Sequence, residues 1–445
     1  MPPKKPQPSS FELFQSRLDN MLDPDHPLVK LAGLIDWSRF DEAFGRLYTP
    51  LKGRPGLPTR LMAGLHLLKY TEGLSDEVIC ACWVENPYYQ YFCGEQHFRH
   101  KLPFDRSSMT RWRGRIGPDK LELLLAETIA VARRTAAVTP SACTRVTIDT
   151  TVQTKAVAHP TDSHLLLRGI EWLNRLARRH GIKLRQSFLR VARRARGDVS
   201  RLLHGGRHAQ AMRWVRKMRT WLGRLDRDIG RKIAGDAALG DTFAVARNRV
   251  GRLLTQKRDD KHKLYALHAP EVECIGKGKA RTRYEFGVKT SIAVTNARTA
   301  GGQFIIGMRA LPGSPYDGHT LSAQIEQVER LTGIAIERAY VDRGYQGHGH
   351  KGKAEVFISR MRGITSPTIR RELRRRSAIE PIIGHTKSDG LLERNHLAGT
   401  HGDAINAILV AAGHNMRLLV AWLIALWRAL LTAIATATIA EPATA

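Results

Sequence analysis

From Thr59 onward apolar residues recur at helical spacing, with Leu61, Leu65 and Leu68 on one face and Gly73 ending the run. Ser75 is positioned to cap a second short helix through Val84, and the aromatic turn NPYYQYF follows it. Ser107 or Ser108 can cap SMTRWRGRI, after which Gly117-Pro118 resets the chain into a longer helix carrying Leu121, Leu124 and Ile129. Three short helices in succession predict a helical domain over 51–138, behind an N-terminal tail and lead-in over 1–50. Such a domain is either a helix-turn-helix-like DNA-binding module or a plain bundle with a solvated basic face. In the first case its third helix brings Arg106, Arg111, Arg113 and Arg115 to phosphates or base edges.

At Ser141 the texture changes to the β-branched run CTRVTIDTTVQT, which predicts a strand ending on Asp149. Residues 165–262 return to helix, because Val215, Met218, Leu222, Leu225 and Ile229 form one stripe and Phe243, Ala246, Val250 and Leu253 another. Two β-rich runs, RTRYEFGVKTSIAVTN and GGQFIIGMRAL, then predict a hairpin. The loop PGSPYDGHT leads into a helix bearing Leu321, Ile325 and Val328 and stopped by Gly333. A short strand in ERAYVDRGYQG ends on Asp342, a further run EVFISR follows, and a basic helix extends from Ile369 to about Lys387. The class is α/β. Without 165–262, the order of elements is that of a ribonuclease-H-like mixed sheet with flanking helices, made from 139–164 and 263–400 and interrupted by an all-helical insertion. A C-terminal helix and tail occupy 401–445. Within it, Leu418 to Ala440 is long enough to span a bilayer, but Arg428 at its middle, its Ala/Thr tail and its continuity with the preceding segment favour a core or partner-packing helix.

Charge narrows the partners. The chain has 71 Lys and Arg against 41 Asp and Glu, a net +30, which suits the neutralisation of phosphates. The segment 165–262 alone carries 26 Lys and Arg against 8 Asp and Glu, so its exposed face, with Arg213 and Arg216 on it, is expected to lie on DNA. Cys80, Cys82, Cys93, Cys143 and Cys274 have no zinc-site spacing and read as reduced thiols of a cytosolic protein. The start MPPKKPQPSS lacks the apolar run of a secretory signal and is expected to be a frayed tail.

Phosphodiester chemistry at neutral pH needs a strong nucleophile and relief of charge, which two Mg²⁺ ions about 4 Å apart can supply, and hard cations want oxygen ligands. Asp149 and Asp342 each close a predicted strand, and Glu380 lies on a helix. At about 100° per residue, Leu373, Arg376, Glu380 and Lys387 fall within about 60° of one another on a continuous helix. That face would hold a metal on the carboxylate while Arg376 and Lys387 take DNA phosphates; the alternative is a pair of surface salt bridges.

The segments TIDTTVQTKAVAHPTD, PGSPYDGHTL, RAYVDRGYQG and RRRSAIEPIIGHTK resemble the catalytic blocks of bacterial DD(E) transposases of the insertion sequence five group, within the insertion sequence four superfamily. GRPGLPTRLMAGLHLLKY is similar to that group's N-terminal domain. The third acid of the superfamily sits in Tyr-x2-Arg-x3-Glu-x6-Lys; this chain supplies Arg376, Glu380 and Lys387 at those spacings but has Leu373 for the tyrosine. The resemblance also includes the Glu-Pro pair at Glu380-Pro381, although a proline there would kink a continuous helix. It implies that Asp149, Asp342 and Glu380 bind two Mg²⁺ or Mn²⁺ ions and catalyse cleavage of the element's terminal inverted repeats, followed by attack of the freed 3′-hydroxyl on target DNA. It implies no small-molecule cofactor and no membrane partner, a homodimer in the synaptic complex, and a bacterial cytoplasmic, nucleoid-associated setting. Arg343, Tyr345, His319 and His385 lie near the acids in sequence and read as structural or loop DNA contacts. The rival readings are a nuclease of the same fold that does not join strands, and an inactive, domesticated DNA-binding relic.

Overall fold

Six strand segments form one mixed sheet in the computed structural model of the chain, which describes residues 16–48, 55–276 and 283–439. The expected tail MPPKKPQPSS and the first two residues of RTRYEFG lie outside the described residues. Strands β1 (Arg145–Thr154), β2 (Glu273–Gly276), β3 (Tyr284–Thr295), β4 (Ile305–Leu311), β5 (Arg338–Val341) and β6 (Glu355–Ile358) run in the order β2-β3-β1-β5-β6, with β4 also on β3. β3 and β4 are antiparallel, as the hairpin pattern predicts, whereas β1, β5 and β6 are parallel to one another. By contacts the chain divides into two units, 1–154 with 288–445, and 155–287.

In the first unit, helices α1 (Leu18–Met21), α2 (Pro27–Leu34), α3 (Trp37–Gly45), α4 (Thr59–Glu72), α5 (Asp76–Glu85), α6 (Pro87–Phe92) and α7 (Ser107–Arg134) precede the sheet. Gly117, at φ 75°, breaks α7 where Pro118 starts a new turn. The cap before α7 comes from Asp105, whose carboxylate accepts the Ser107 backbone N–H at 2.9 Å, and not from Ser107 or Ser108. α4 is buried along almost its whole length, more than its single apolar stripe predicts. The cover is α15 (Gly399–Ile439), which crosses so closely that a Cβ on Gly413 would collide with the Tyr70 carbonyl oxygen. Asn415 on α15 also completes β4, accepting the Ile305 N–H at 2.9 Å and donating to the Ile305 carbonyl at 2.8 Å. Of the stretch Leu418 to Ala440, the residues to Ile439 belong to this 41-residue helix and Ala440 lies outside the described residues; the helix is long and apolar enough to cross a membrane, and it is buried at Leu419 and Leu423 but exposes Leu426, Leu430 and Leu431.

β1 does not end on Asp149 but runs on to Thr154. Its second half is held by tertiary bonds absent from any local pattern. Gln153 donates to the Asp403 carbonyl and accepts from Asn406, while the Thr154 backbone pairs with Leu392 and Asn395. α12 (Asp317–Thr332) packs on β4, with Gln327 donating to the Met308 carbonyl at 3.1 Å.

The second unit contains α8 (Asp162–Arg179), α9 (Leu189–His204), α10 (His208–Ile233) and α11 (Ala237–Thr255). Its core is built by the stripes read from sequence, with Met218, Leu222, Ile229, Phe243 and Val250 fully buried. β2 pairs with the first four residues of β3 inside this unit.

Candidate functional site

The parallel register of β1 and β5 sets the first two acids side by side. Thr147 is level with Tyr340, so the same register carried two residues further brings Asp149 level with Asp342 at the end of β5. Asp149 accepts its neighbour Thr150's N–H at 2.7 Å. Asp342 caps the 3₁₀ turn of residues 343–345, accepting the Gly344 N–H at 2.9 Å. Gly344 leaves room between two carboxylates: a Cβ there would lie 3.0 Å from Asp342 Oδ1 and 3.1 Å from Asp317 Oδ2. Asp317, at the start of α12, accepts the Thr150 hydroxyl at 3.1 Å and pairs with Lys289 of β3 at 3.1 Å. Beneath them Tyr345 is fully buried. Burial, and then the charges of Asp149, Asp317 and Asp342, push its phenol well above the ordinary range; Ser291 acts in the opposite direction. The Tyr345 and Ser291 hydroxyls face each other, and among the described residues neither has a hydrogen bond of ordinary geometry.

Glu380 reaches this edge through Arg376, whose guanidinium lies 3.4 Å from Asp149 and 3.6 Å from Glu380. The single helix expected from Ile369 to Lys387 is in fact three pieces, α13 (Pro367–Arg374), a 3₁₀ turn over Arg375–Ala378 and α14 (Ile379–Ser388). Because α14 starts at Ile379, Pro381 sits in its first turn, where a missing N–H costs no helical bond and no kink is needed. The break puts Leu373 on α13, apart from Glu380 and Lys387 on α14, while Arg376 on the 3₁₀ turn still reaches Glu380 at 3.6 Å. What orients α13 is Glu372, buried and bound by Arg145 of β1 at 2.9 Å, by Arg338 of β5 at 3.2 Å and by the Tyr340 hydroxyl. Burial tends to raise the Glu372 carboxyl, and these partners bring it below its usual value. Arg375 adds a bond to the Asn296 carbonyl at 2.8 Å.

The donor set around Asp149 and Asp342 is all carboxylate oxygen, the ligand type of Mg²⁺ or Mn²⁺, and the space over Gly344 together with the buried Tyr345 hydroxyl suits a hydrated cation. Among the described residues no three His, Cys, Asp or Glu side chains stand close enough to grip an ion directly; Glu380 is 66% exposed and turned to Arg376. The structure thus brings Asp149, Asp342 and Arg376 to one edge of the sheet, with Glu380 joined to it through the arginine. Lys387 is half-buried beside a cleft of about 650 Å³ with Asp389, Arg394 and Arg417.

Of the basic residues expected on DNA, Arg106, Arg111, Arg115, Arg213 and Arg216 are exposed. Arg111 is propped by Ser107 at 2.7 Å and Arg115 lies over the Tyr48 ring at 4.9 Å. Arg113 is a correction: only 3% exposed, it is locked to Asp76 by bonds of 2.6 and 2.9 Å, so it has no free face for DNA. Arg343 and His319 are exposed, and His385 pairs with Asp389 at 2.8 Å. Sequence reading missed Asp317, Lys289, Glu372 and Asp76. The one local signal for Lys289 is that it is the single cation in β3.

A family profile described as Transposase domain (DUF772) matches residues 16–115. An uncharacterized protein, ORF8 in the nfe locus of Rhizobium meliloti, is 51% identical over 204 residues, 46% of this chain and 98% of that protein. The chain carries a transposase domain. No solved structure matches it. For a transposase, the matched segment covers the helices from Leu18 into α7, including Arg106, Arg111 and Arg115. That domain supports a transposase role in general terms.

Proposed function

We propose that this transposase is of the DD(E) type, with a ribonuclease-H-like core of 139–164 and 263–400 that cuts DNA at the element's terminal inverted repeats and joins the freed 3′-hydroxyls to target DNA. The observation that carries the reading is the parallel register of β1 and β5, which carried two residues past Thr147 and Tyr340 sets Asp149 beside Asp342, with Arg376 linking Asp149 to Glu380. Asp149, Asp342 and Glu380 would hold two divalent cations. When bound, these supply charge relief at the phosphorus and a more acidic water. Arg376 balances two of the carboxylates and offers a planar, bidentate donor to a phosphate oxygen brought to the same edge. Lys387 is a further phosphate contact. Arg106, Arg111 and Arg115 are the candidates for repeat recognition, and the basic faces of 165–262, with Arg213 and Arg216, supply sequence-independent affinity. Double-stranded DNA is the partner, the active form is a dimer that holds two ends, and the setting is the bacterial cytoplasm at the nucleoid, with no membrane partner and no small-molecule cofactor.

The test is nicking of end-bearing DNA in Mg²⁺ beside a gel shift. Asp149→Asn, Asp342→Asn and Glu380→Gln should each abolish cleavage and leave binding nearly intact, because each removes a charge and little shape. Near wild-type cleavage by one of them removes that residue from the triad. In a gel shift, Arg111→Ala or Arg115→Ala should reduce the preference for repeat over scrambled DNA more than it weakens overall binding.

A further inference from the structure

We propose that Asp317 is a fourth metal-binding carboxylate of this site, facing Asp342 across Gly344, and that Lys289 competes with the cation for it. The inference rests on the metal-dependent reading above and adds to it an acid that lies outside the triad. Three observations carry it. First, Asp317 Oδ2 and Asp342 Oδ1 are both about 3 Å from the Cβ position that Gly344 lacks, so the chain opens the space between them where almost every other residue would fill it. The backbone there needs no glycine, since Gly344 is absent from the positive-φ glycines of the chain; the small residue serves space alone.

Second, the charges are uneven. Arg376 stands on Asp149 and Lys289 on Asp317, but among the described residues no cationic side chain pairs with Asp342. Asp342 therefore faces Asp317 with no cation of its own among the described residues, and a divalent ion that displaced the Lys289 ammonium would satisfy both Asp342 and Asp317. Lys289 is built to step aside: its ammonium also donates to the Pro315 carbonyl at 2.8 Å, so it keeps a partner when it releases the carboxylate. Third, the Tyr345 phenol is fully buried beside the same three carboxylates, and among the described residues neither it nor the Ser291 hydroxyl that faces it has a hydrogen bond of ordinary geometry. Buried hydroxyls are satisfied in almost all folded proteins, and the hydration shell of a cation between Asp317 and Asp342 would satisfy both.

The test reads Mn²⁺ binding to the full chain, without DNA, from the loss of the free-ion paramagnetic resonance signal. Asp342→Asn and Asp317→Asn should each weaken binding at least about tenfold. Lys289→Met, which removes the competitor, should strengthen it. If Asp149→Asn and Asp342→Asn weaken binding but Asp317→Asn matches wild type, Asp317 is merely the structural partner of Lys289 and the proposal falls while the metal-dependent reading stands. If none of the three changes Mn²⁺ affinity, both fall. Should Asp317→Asn fail to fold by circular dichroism, Lys289→Met decides: a gain supports the proposal and an unchanged affinity overturns it.

Discussion

Asp76→Asn is the substitution that most directly separates a structural Arg113 from a DNA-reading one. Asp76 opens α5 and accepts Arg113 at 2.6 and 2.9 Å and Lys69 at 2.6 Å. The side chains of Arg113 and Lys69 are 4% and 8% exposed, and the neutral ring of His66 lies 3.1 Å from Arg113. Asparagine keeps the shape and one or two acceptor bonds but strands two buried cations beside each other. Breaking a buried pair in this way costs about 3 to 5 kcal/mol, against about 0 to 1 for an exposed pair. The chain has two units, so the measurement is the urea midpoint of the transition followed by near-ultraviolet circular dichroism of the aromatic-rich N-terminal helices. Burial alone would raise the Asp76 carboxyl, but Arg113 and Lys69 outweigh it and hold it well below the usual range. Its contribution is therefore complete above the unfolded pKa of about 3.9 and is lost as pH falls below that, so wild type and Asp76→Asn should converge in acid. A loss under about 1 kcal/mol at pH 7 would refute the argument and return Arg113 to the DNA-contact set.

Three further outcomes are expected. Burial, reinforced by the Arg113 charge, lowers His66 to about 3, so the unfolded chain protonates first and stability should fall by about 1.4 kcal/mol per unit as pH drops from about 6.5 toward 3. A pH series of urea midpoints checks this, and His66→Gln should have the shallower slope; equal slopes would remove His66 as the cause. Gly344→Ala should leave the circular dichroism spectrum intact while abolishing nicking, because its methyl would enter the space between Asp342 and Asp317; normal nicking would show that this space is not used. Reversing the exposed Arg213, Arg216 and Arg224 to Glu should flatten the slope of log affinity against log salt, whereas Arg219, bonded to the Leu254 carbonyl, should act on stability; an unchanged slope would turn this face away from DNA.

Periodicity by itself determined the elements. The stripe from Val215 to Ile229 and the hairpin of β3 and β4 could be read residue by residue, because burial on one face imposes a spacing of 3.6 or 2 and the chain must show it. The acidic positions rest on expected strand ends and a motif of fixed spacing, and of the two strand ends only that before Asp342 is found, Asp149 lying inside β1. Everything that depended on a distant partner was not legible. β1 outruns Asp149 because Asn406, Leu392 and Asn395 hold its second half, and all three come from more than two hundred residues away. Arg113 looked like its exposed neighbours until Asp76, 37 residues earlier, closed on it. The helix at Glu380 reads as continuous because sequence shows only propensity, whereas Glu372, gripped by Arg145 and Arg338, fixes α13 and leaves α14 to restart in register with Pro381. Asp317 and Asp342 come to flank Gly344 through the packing of α12 on the 3₁₀ turn of 343–345, and a glycine carries no pattern that announces what gathers in the space it leaves.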